Sequence, residues 1–279
     1  MPQPDFLIIG AQKAGTSWLA HNLAQHPSVH LPPDELHFFD KSACFARGAA
    51  WYEAQFAPPP GAACIGEKTP DYLWSDEGGA EDHTPGIAER IHAAYPDLRL
   101  ICVLRDPVAR AVSAARHLLQ TGRVRPSTSL DALLVGDAMA LAKPHGVLAQ
   151  GFYARNLRRY LGLFGAERMC VLFYEDDLRD DPLGTLQQVC RFLGVATDFD
   201  FPDCSQRIND LGFSRLALAL SYALPWLGRP LRAIDRRWAK PYRPAASAHT
   251  LAALARLYAP ANAELFALLG RSAPHWRMA

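Results

Sequence analysis

The chain has 279 residues, with 29 Lys and Arg against 28 Asp and Glu, a formal net charge of +1. That length supports one large domain or two small ones, and 49% hydrophobic with 20% charged residues is the composition of a globular chain. Near-neutrality excludes a dedicated nucleic-acid binder, which carries a strong basic excess.

In chain order, Phe6-Leu7-Ile8-Ile9 is a short apolar run ending at Gly10. A Gly/Lys/Thr loop follows, then a helical spacing of Trp18, Leu19 and Leu23. Cys64-Ile65-Gly66 reads as a short strand, and Ile87 to Tyr95 as a helix stopped by Pro96. Leu98 to Leu104 is a buried-strand pattern, and Pro107 opens a helix running toward Gln120. A loop rich in Pro, Ser and Thr spans Gly122 to Ser129. Tyr153 to Phe164 reads as a helix, Met169 to Tyr174 as a strand, and Pro182 to Leu193 as a helix closed by Gly194. Strands alternating with helices predict an α/β fold of three layers, a central parallel sheet flanked by helices. The expected organisation is a single domain over 1–279, with 211–279 a helical C-terminal extension packed on it.

The N-terminus lacks the basic start and apolar stretch of a signal peptide, and no run approaches a membrane span. The six cysteines form no C-x-x-C pair, so reduced core thiols are expected for Cys102 and Cys170. These features suit the cytoplasm. Between Arg229 and Arg243 the chain carries +5, balanced by −4 elsewhere. This arm follows an apolar stretch, Leu216 to Leu227, and three readings of it stay open. It is a solvated face of a packed helical hairpin, a peripheral membrane contact through 216–243, or a grip on an acidic acceptor.

The first loop is Gly10-Ala11-Gln12-Lys13-Ala14-Gly15-Thr16-Ser17. A strand-to-helix junction offers free backbone N–H groups and the positive end of a helix dipole, which suits an anion. It is not the G-x-x-x-x-G-K-[ST] nucleotide loop, because Lys13 precedes the second glycine. The second motif is Arg105-Asp106-Pro107-x-x-Arg110-x-x-Ser113, at the end of the strongest strand. Ligands of doubly wound folds sit beyond such strand ends, where Arg105 can grip a phosphate bidentately and Ser113 can face it. The competing reading pairs Arg105 with Asp106 or Glu67 at the surface. Two separated anion cradles fit 3′-phosphoadenosine 5′-phosphosulfate better than ATP.

These segments resemble the sulfotransferase family. FLIIGAQKAGTSWL is similar to its 5′-phosphosulfate loop, and LRDPVARAVSAARH to its 3′-phosphate motif. Asp34 to Asp40 (DELHFFD) and Gly66 to Trp74 (GEKTPDYLW) resemble segments of heparan-sulfate 3-O- and N-sulfotransferases. The likeness is continuous from Phe6 to about His117 and looser to Leu193. It implies transfer of a sulfuryl group from 3′-phosphoadenosine 5′-phosphosulfate to an acceptor hydroxyl, leaving adenosine 3′,5′-bisphosphate. Glu35 matches the family's general base, with His37 as second candidate, on the same side of the chain if the stretch is extended. Lys13 is expected on the leaving oxygen and Lys68 near the sulfuryl group, with Glu67 either holding Lys68 or serving as a strand-end acid. Lys13, Ala14, Gly15, Thr16, Ser17, Arg105, Ser113, Tyr153 and Arg207 are the implied donor contacts, and no metal is implied. The family's lysine-glycine-aromatic lid pattern and its paired C-terminal cysteines are absent here. The acceptor stays open among a saccharide, a glycolipid and a small natural product, as does the oligomeric state. The alternatives are another nucleotide-loop transferase, such as a small-molecule kinase, and a non-catalytic nucleotide-binding module at a membrane surface.

Overall fold

The structure is a computed structural model and describes residues 2–75, 78–80, 82–206, 214–224 and 242–277. Five strands, β1 (Phe6–Gly10), β2 (Val29–His30), β3 (Cys64–Lys68), β4 (Arg99–Leu104) and β5 (Met169–Phe173), form one sheet in the order β2-β3-β1-β4-β5. Every pairing is parallel. All five residues of β1 are buried, and so are Leu100 to Leu104 of β4. That is the signature of central strands covered on both faces, where no polar alternation survives.

The helices are α1 (Thr16–Leu23), α2 (Ser42–Phe45), α3 (Ala49–Glu53), α4 (Ile87–Ala94), α5 (Pro107–Gln120), α6 (Leu130–Val135) and α7 (Met139–Ala142). They continue with α8 (Tyr153–Phe164), α9 (Pro182–Leu193), α10 (Arg215–Ala223) and α11 (Ala248–Leu269). Their starts follow local chemistry. Asp106, Ser129 and Asp181 accept hydrogen bonds from N–H groups in the first turns of α5, α6 and α9. Pro107 and Pro182 take the first helical position, and Gly194 ends α9 in the left-handed conformation at φ 75°. Both helices thus begin at the prolines that mark their starts in the sequence, and α9 ends at the glycine that closes it.

Two cores result. One surrounds the sheet; the other joins α5 and α6 to Leu254, Ala255 and Tyr258 of α11. The α11 helix also closes the sheet core, through Leu265 and the following Ala273 and Trp276. Cys64, Cys102, Cys170 and Cys190 are buried free thiols; burial pushes Cys170 up to about 12 and Cys102 higher still. No helix of the described residues is long and apolar enough to cross a membrane. α10 leaves Leu216, Leu220 and Tyr222 exposed, as is Leu224 just beyond it. Of the basic arm, residues 229–241 lie outside the described residues.

The strand order places β1 between strands that follow it in sequence on either side, so the chain leaves β1 and β4 in diverging directions. A crevice opens beyond their carboxyl ends. The loop after β1 is tied to β4 there, with the Ala11 N–H donating to the Val103 carbonyl at 2.7 Å.

Candidate active site

The loop between β1 and α1 is narrow by necessity. A Cβ on Gly10 would meet the Leu73 Cβ at 2.6 Å, so only glycine fits beneath the 70–73 turn. Lys13 has φ 67° and Gly15 φ 101°, both left-handed. Lys13 makes the first reversal of the loop, and Gly15 makes the second, which launches α1. Burial, opposed by the charge of Glu35, holds the Lys13 ammonium below its usual range. A nearby anion would favour its charged form.

Arg105 stands across the crevice. Its guanidinium donates to the Lys13 carbonyl at 3.0 Å and lies 4.9 Å from the centre of the Tyr174 ring. Its acidic neighbour is Glu175, at 4.0 Å from Nε, rather than Asp106 or Glu67. Asp106 is engaged as the cap of α5, through Val108 N–H at 3.0 Å. Tyr153 is buried and donates to the Arg105 carbonyl at 2.8 Å, so it positions the backbone of that residue. Ser113 is half-buried on α5. The segment 201–206 lies along α1, with Trp18 Nε1 donating to the Cys204 carbonyl at 3.2 Å. Arg207 falls outside the described residues.

Glu35 and Lys68 meet beside this loop. Lys68 Nζ donates to Glu35 Oε1 at 2.6 Å and reaches Ser17 Oγ at 3.5 Å. Lys68 thus links the carboxylate to the start of α1. Glu67 does not hold it. Successive strand residues face opposite sides, and Glu67 points into the core, where Tyr52, Tyr72 and Thr69 donate to it at 2.7, 2.9 and 2.9 Å. Burial pushes the Glu67 carboxyl upward.

His37 sits between two carboxylates, with Nε2 at 3.5 Å from Glu35 Oε2 and Nδ1 at 2.9 Å from Asp40 Oδ2. The 35–37 stretch is not an extended strand. His37 has φ 50°, and this left-handed turn folds its ring back toward Glu35. Burial alone would lower the His37 pKa, but hydrogen bonds to Asp40 and Glu35 outweigh it and raise it to about 10. Asp40 is driven the other way. Burial would raise it, yet His37 and His83 pull it down to about 2. Burial likewise opposes ionisation of Glu35, and His37 with Lys68 prevails, leaving that carboxyl below its usual range.

Behind Asp40 the contacts continue. His83 Nδ1 lies 3.6 Å from Asp40 Oδ2, and its Nε2 is 2.8 Å from the Trp74 carbonyl. Its ring stacks on Trp74 with centroids 4.4 Å apart. These groups border a polar cavity of about 150 Å³, which Asp71, His117, Arg123 and His145 also line. Asp71 accepts from the side-chain amides of Gln12 and Gln150 at 3.1 and 3.2 Å. Burial and the charges of Lys13 and Arg123 press His117 down to about 4. Its Nδ1 has no hydrogen-bond partner among the described residues.

The structure therefore brings Lys13, Gly15, Ser17, Lys68, Glu35 and His37 together, with Arg105 facing them across the loop. The residues missed in the sequence are Asp40, Asp71, His83 and His117. Asp40 and His117 each end a segment already singled out, DELHFFD and LRDPVARAVSAARH, and Asp71 lies inside GEKTPDYLW. For His83 no sequence signal existed, since its meeting with Asp40 exists only in the folded chain. Among the described residues, His37, Asp40 and Asp71 place ligand atoms within 4.8 Å of one another, as do Asp176, Asp180 and His275. In the first group the His37 nitrogens already face Glu35 and Asp40.

A phosphate-loop-like α/β fold with a lysine-bearing loop and a carboxylate at its edge is the architecture of a transferase. Residues 3–211, about three quarters of the chain, match the sulfotransferase domain family, and the chain belongs to it. It is 34% identical over 210 residues to human heparan sulfate glucosamine 3-O-sulfotransferase 6, covering 71% of this chain and 55% of that one. The mouse 3-O-sulfotransferase 3B1 is 33% identical over 192 residues, covering 69% and 46%. The chain thus spans about half the length of the curated relatives it matches. A crystal structure of a sulfotransferase from Alicyclobacillus acidocaldarius superposes with TM-score 0.71 at 29% identity, covering 99% of this chain and all of that one. A sulfotransferase domain from the curacin biosynthetic pathway shares the fold at TM-score 0.51 and 18% identity, covering 98% and 100%.

Proposed function

We propose that this chain transfers a sulfuryl group from 3′-phosphoadenosine 5′-phosphosulfate to a hydroxyl of a saccharide acceptor. The observation that carries the reading is the Glu35–Lys68–Ser17 contact series. It sets a carboxylate at the lip of an anion-binding loop, with a cation between them.

In-line sulfuryl transfer asks for three things: a base at the acceptor hydroxyl, alignment, and positive charge where the leaving oxygen gains electrons. Glu35 is the base. It is held ionised by Lys68 and His37, so it is ready to accept a proton. Proton loss from the hydroxyl to Glu35 accompanies attack of that oxygen on sulfur, and the bond from sulfur to the bridging phosphate oxygen breaks. Lys13 lies where negative charge then builds on that oxygen. Lys68 shields the incoming sulfuryl group from the Glu35 carboxylate. His37 stays cationic between Glu35 and Asp40, so it orients the base and takes no proton itself.

Arg105 and Ser113 would take the 3′-phosphate, with the α1 N-terminus and Ser17 on the 5′ end. The saccharide reading draws on the relatives' acceptor and on the polar cavity beside Glu35. The test is a titration with adenosine 3′,5′-bisphosphate and with ATP plus magnesium. The bisphosphate should bind more tightly; preference for ATP would sink the proposal.

A further inference from the structure

The donor grip proposed above has one cation at its remote end, Arg105. We propose that Arg116 is a second, a binding residue whose guanidinium meets the 3′-phosphate of the nucleotide beside Arg105 and Ser113. This rests on the sulfotransferase reading and extends its donor site.

The first observation is placement. Most of α5 is buried, and the residues it leaves partly open are Ala109, Ser113, Arg116, His117 and Gln120. On a helix these spacings fall on one stripe. The stripe starts one turn beyond Arg105 and opens on the crevice, since His117 within it lines the cavity beside Glu35. Arg116 therefore stands one turn past Ser113 on the same open side.

The second observation is the guanidinium itself. Its Nε donates to the Pro244 carbonyl at 2.8 Å, which fixes the orientation of the group. Its two terminal nitrogens make no hydrogen bond among the described residues and are not sealed from solvent. No carboxylate of the described residues pairs with it, whereas Arg158, Arg159, Arg168, Arg179 and Arg271 each face one. A half-buried arginine held by one nitrogen, with its fork left open, is prepared for a bidentate anion.

The third observation is its company. Burial holds the Arg116 pKa below its usual range, and the charges of Arg243 and Arg105 add to that effect. Cations gathered without a counter-charge disfavour one another, and an anion set among them removes the penalty. The gathering is built into the fold. Ser247, which caps α11, donates its N–H to Asp131 Oδ1 at 2.9 Å, so the segment that Arg116 holds at Pro244 is also tied to α6. A phosphate monoester, with close to two charges and three acceptor oxygens, suits two guanidinia and a hydroxyl.

The experiment is calorimetry on the full chain with two probes, adenosine 3′,5′-bisphosphate and adenosine 5′-monophosphate. The ratio of their affinities isolates the 3′-phosphate. Arg116→Gln should lower that ratio about tenfold, the worth of one charge-assisted hydrogen bond, with the monophosphate Kd kept within about twofold. An unchanged ratio in the folded variant overturns the proposal. So does an equal loss for both probes, which would make Arg116 a support of the fold and not a phosphate contact. Arg116→Lys keeps the charge and should recover most of the loss; a lysine variant as weak as the glutamine one assigns the effect to the Pro244 contact and overturns the proposal as well. If the parent chain binds neither probe, the proposed function falls first. If it binds the bisphosphate no more tightly than the monophosphate, the whole 3′-phosphate grip falls, Arg116 with it.

Discussion

The proposed donor side and the proposed acceptor side of this site are built by different means. The donor side sits on the ends of two central strands and the first turn of a helix. Its geometry follows from sheet order and from two left-handed residues, Lys13 and Gly15. The proposed acceptor side is assembled from residues far apart in sequence, Glu35, His37, Asp40, Asp71, His83, His117 and His145, brought together around one cavity. The first is a property of the fold and so recurs wherever the fold does; the second depends on single residues, which is where specificity is free to vary.

That contrast can be broken by experiment. The largest effect is expected for Glu35→Gln, which removes the proposed base while leaving the loop intact. Transfer should fall about 10²–10⁴-fold, with adenosine 3′,5′-bisphosphate affinity unchanged by calorimetry. Retained transfer would remove Glu35 as the base. Next is Lys13→Ala, the corresponding change on the donor side. It should lower kcat about 10²–10³-fold and also weaken the bisphosphate, a double loss that Glu35→Gln must not show.

A third test concerns the charged chain behind the base. Asp40 is almost wholly buried and faces two histidines. His37→Gln should destabilise the chain by roughly 3 kcal/mol near pH 6, the cost of unpairing a buried charge. The sign follows from a raised folded-state pKa. The stabilisation from His37 is complete below its unfolded value of 6.5 and is lost as pH rises through about 10. Urea midpoints of the parent and the variant should therefore converge between those values, and parallel curves would show that His37 is not the titrating group. The smallest kinetic effect is expected for Glu67→Ala. It strips three hydroxyl donors of their acceptor and should cost about 2–3 kcal/mol in stability. Because Glu67 faces the core, donor affinity should stay within about threefold; a larger change would tie Glu67 to the site after all.

The same division explains what could be read from the residues alone. The buried strands at 6–10 and 99–104 and the capped helices at 107–120 and 182–193 carry local signals: apolar runs, a proline at the first turn, a terminal glycine. The two-residue β2 carries none, because its pairing with β3 at Cys64 and Ile65 exists only in the folded sheet. Loop residues on the donor side were legible through spacing. On the acceptor side, Glu35 and His37 were legible, but their shared orientation came from a left-handed turn at His37 and not from extended chain. His83 and His145 reach the cavity through turns, and no periodicity announces such a meeting.

One contact has a kinetic reach of its own. The Arg105 guanidinium holds the carbonyl of Lys13, so the two grips proposed for the two ends of the nucleotide form one bracket. Pulling on either end is felt at the other. In a double-mutant cycle, Arg105→Ala and Lys13→Ala should cost less together than the sum of their separate effects. Arg105→Ala should lower kcat as well as weaken the nucleotide, since the loop that carries Lys13 would lose its brace. The residue proposed to bind the remote phosphate thereby also shapes the loop proposed to meet the departing charge.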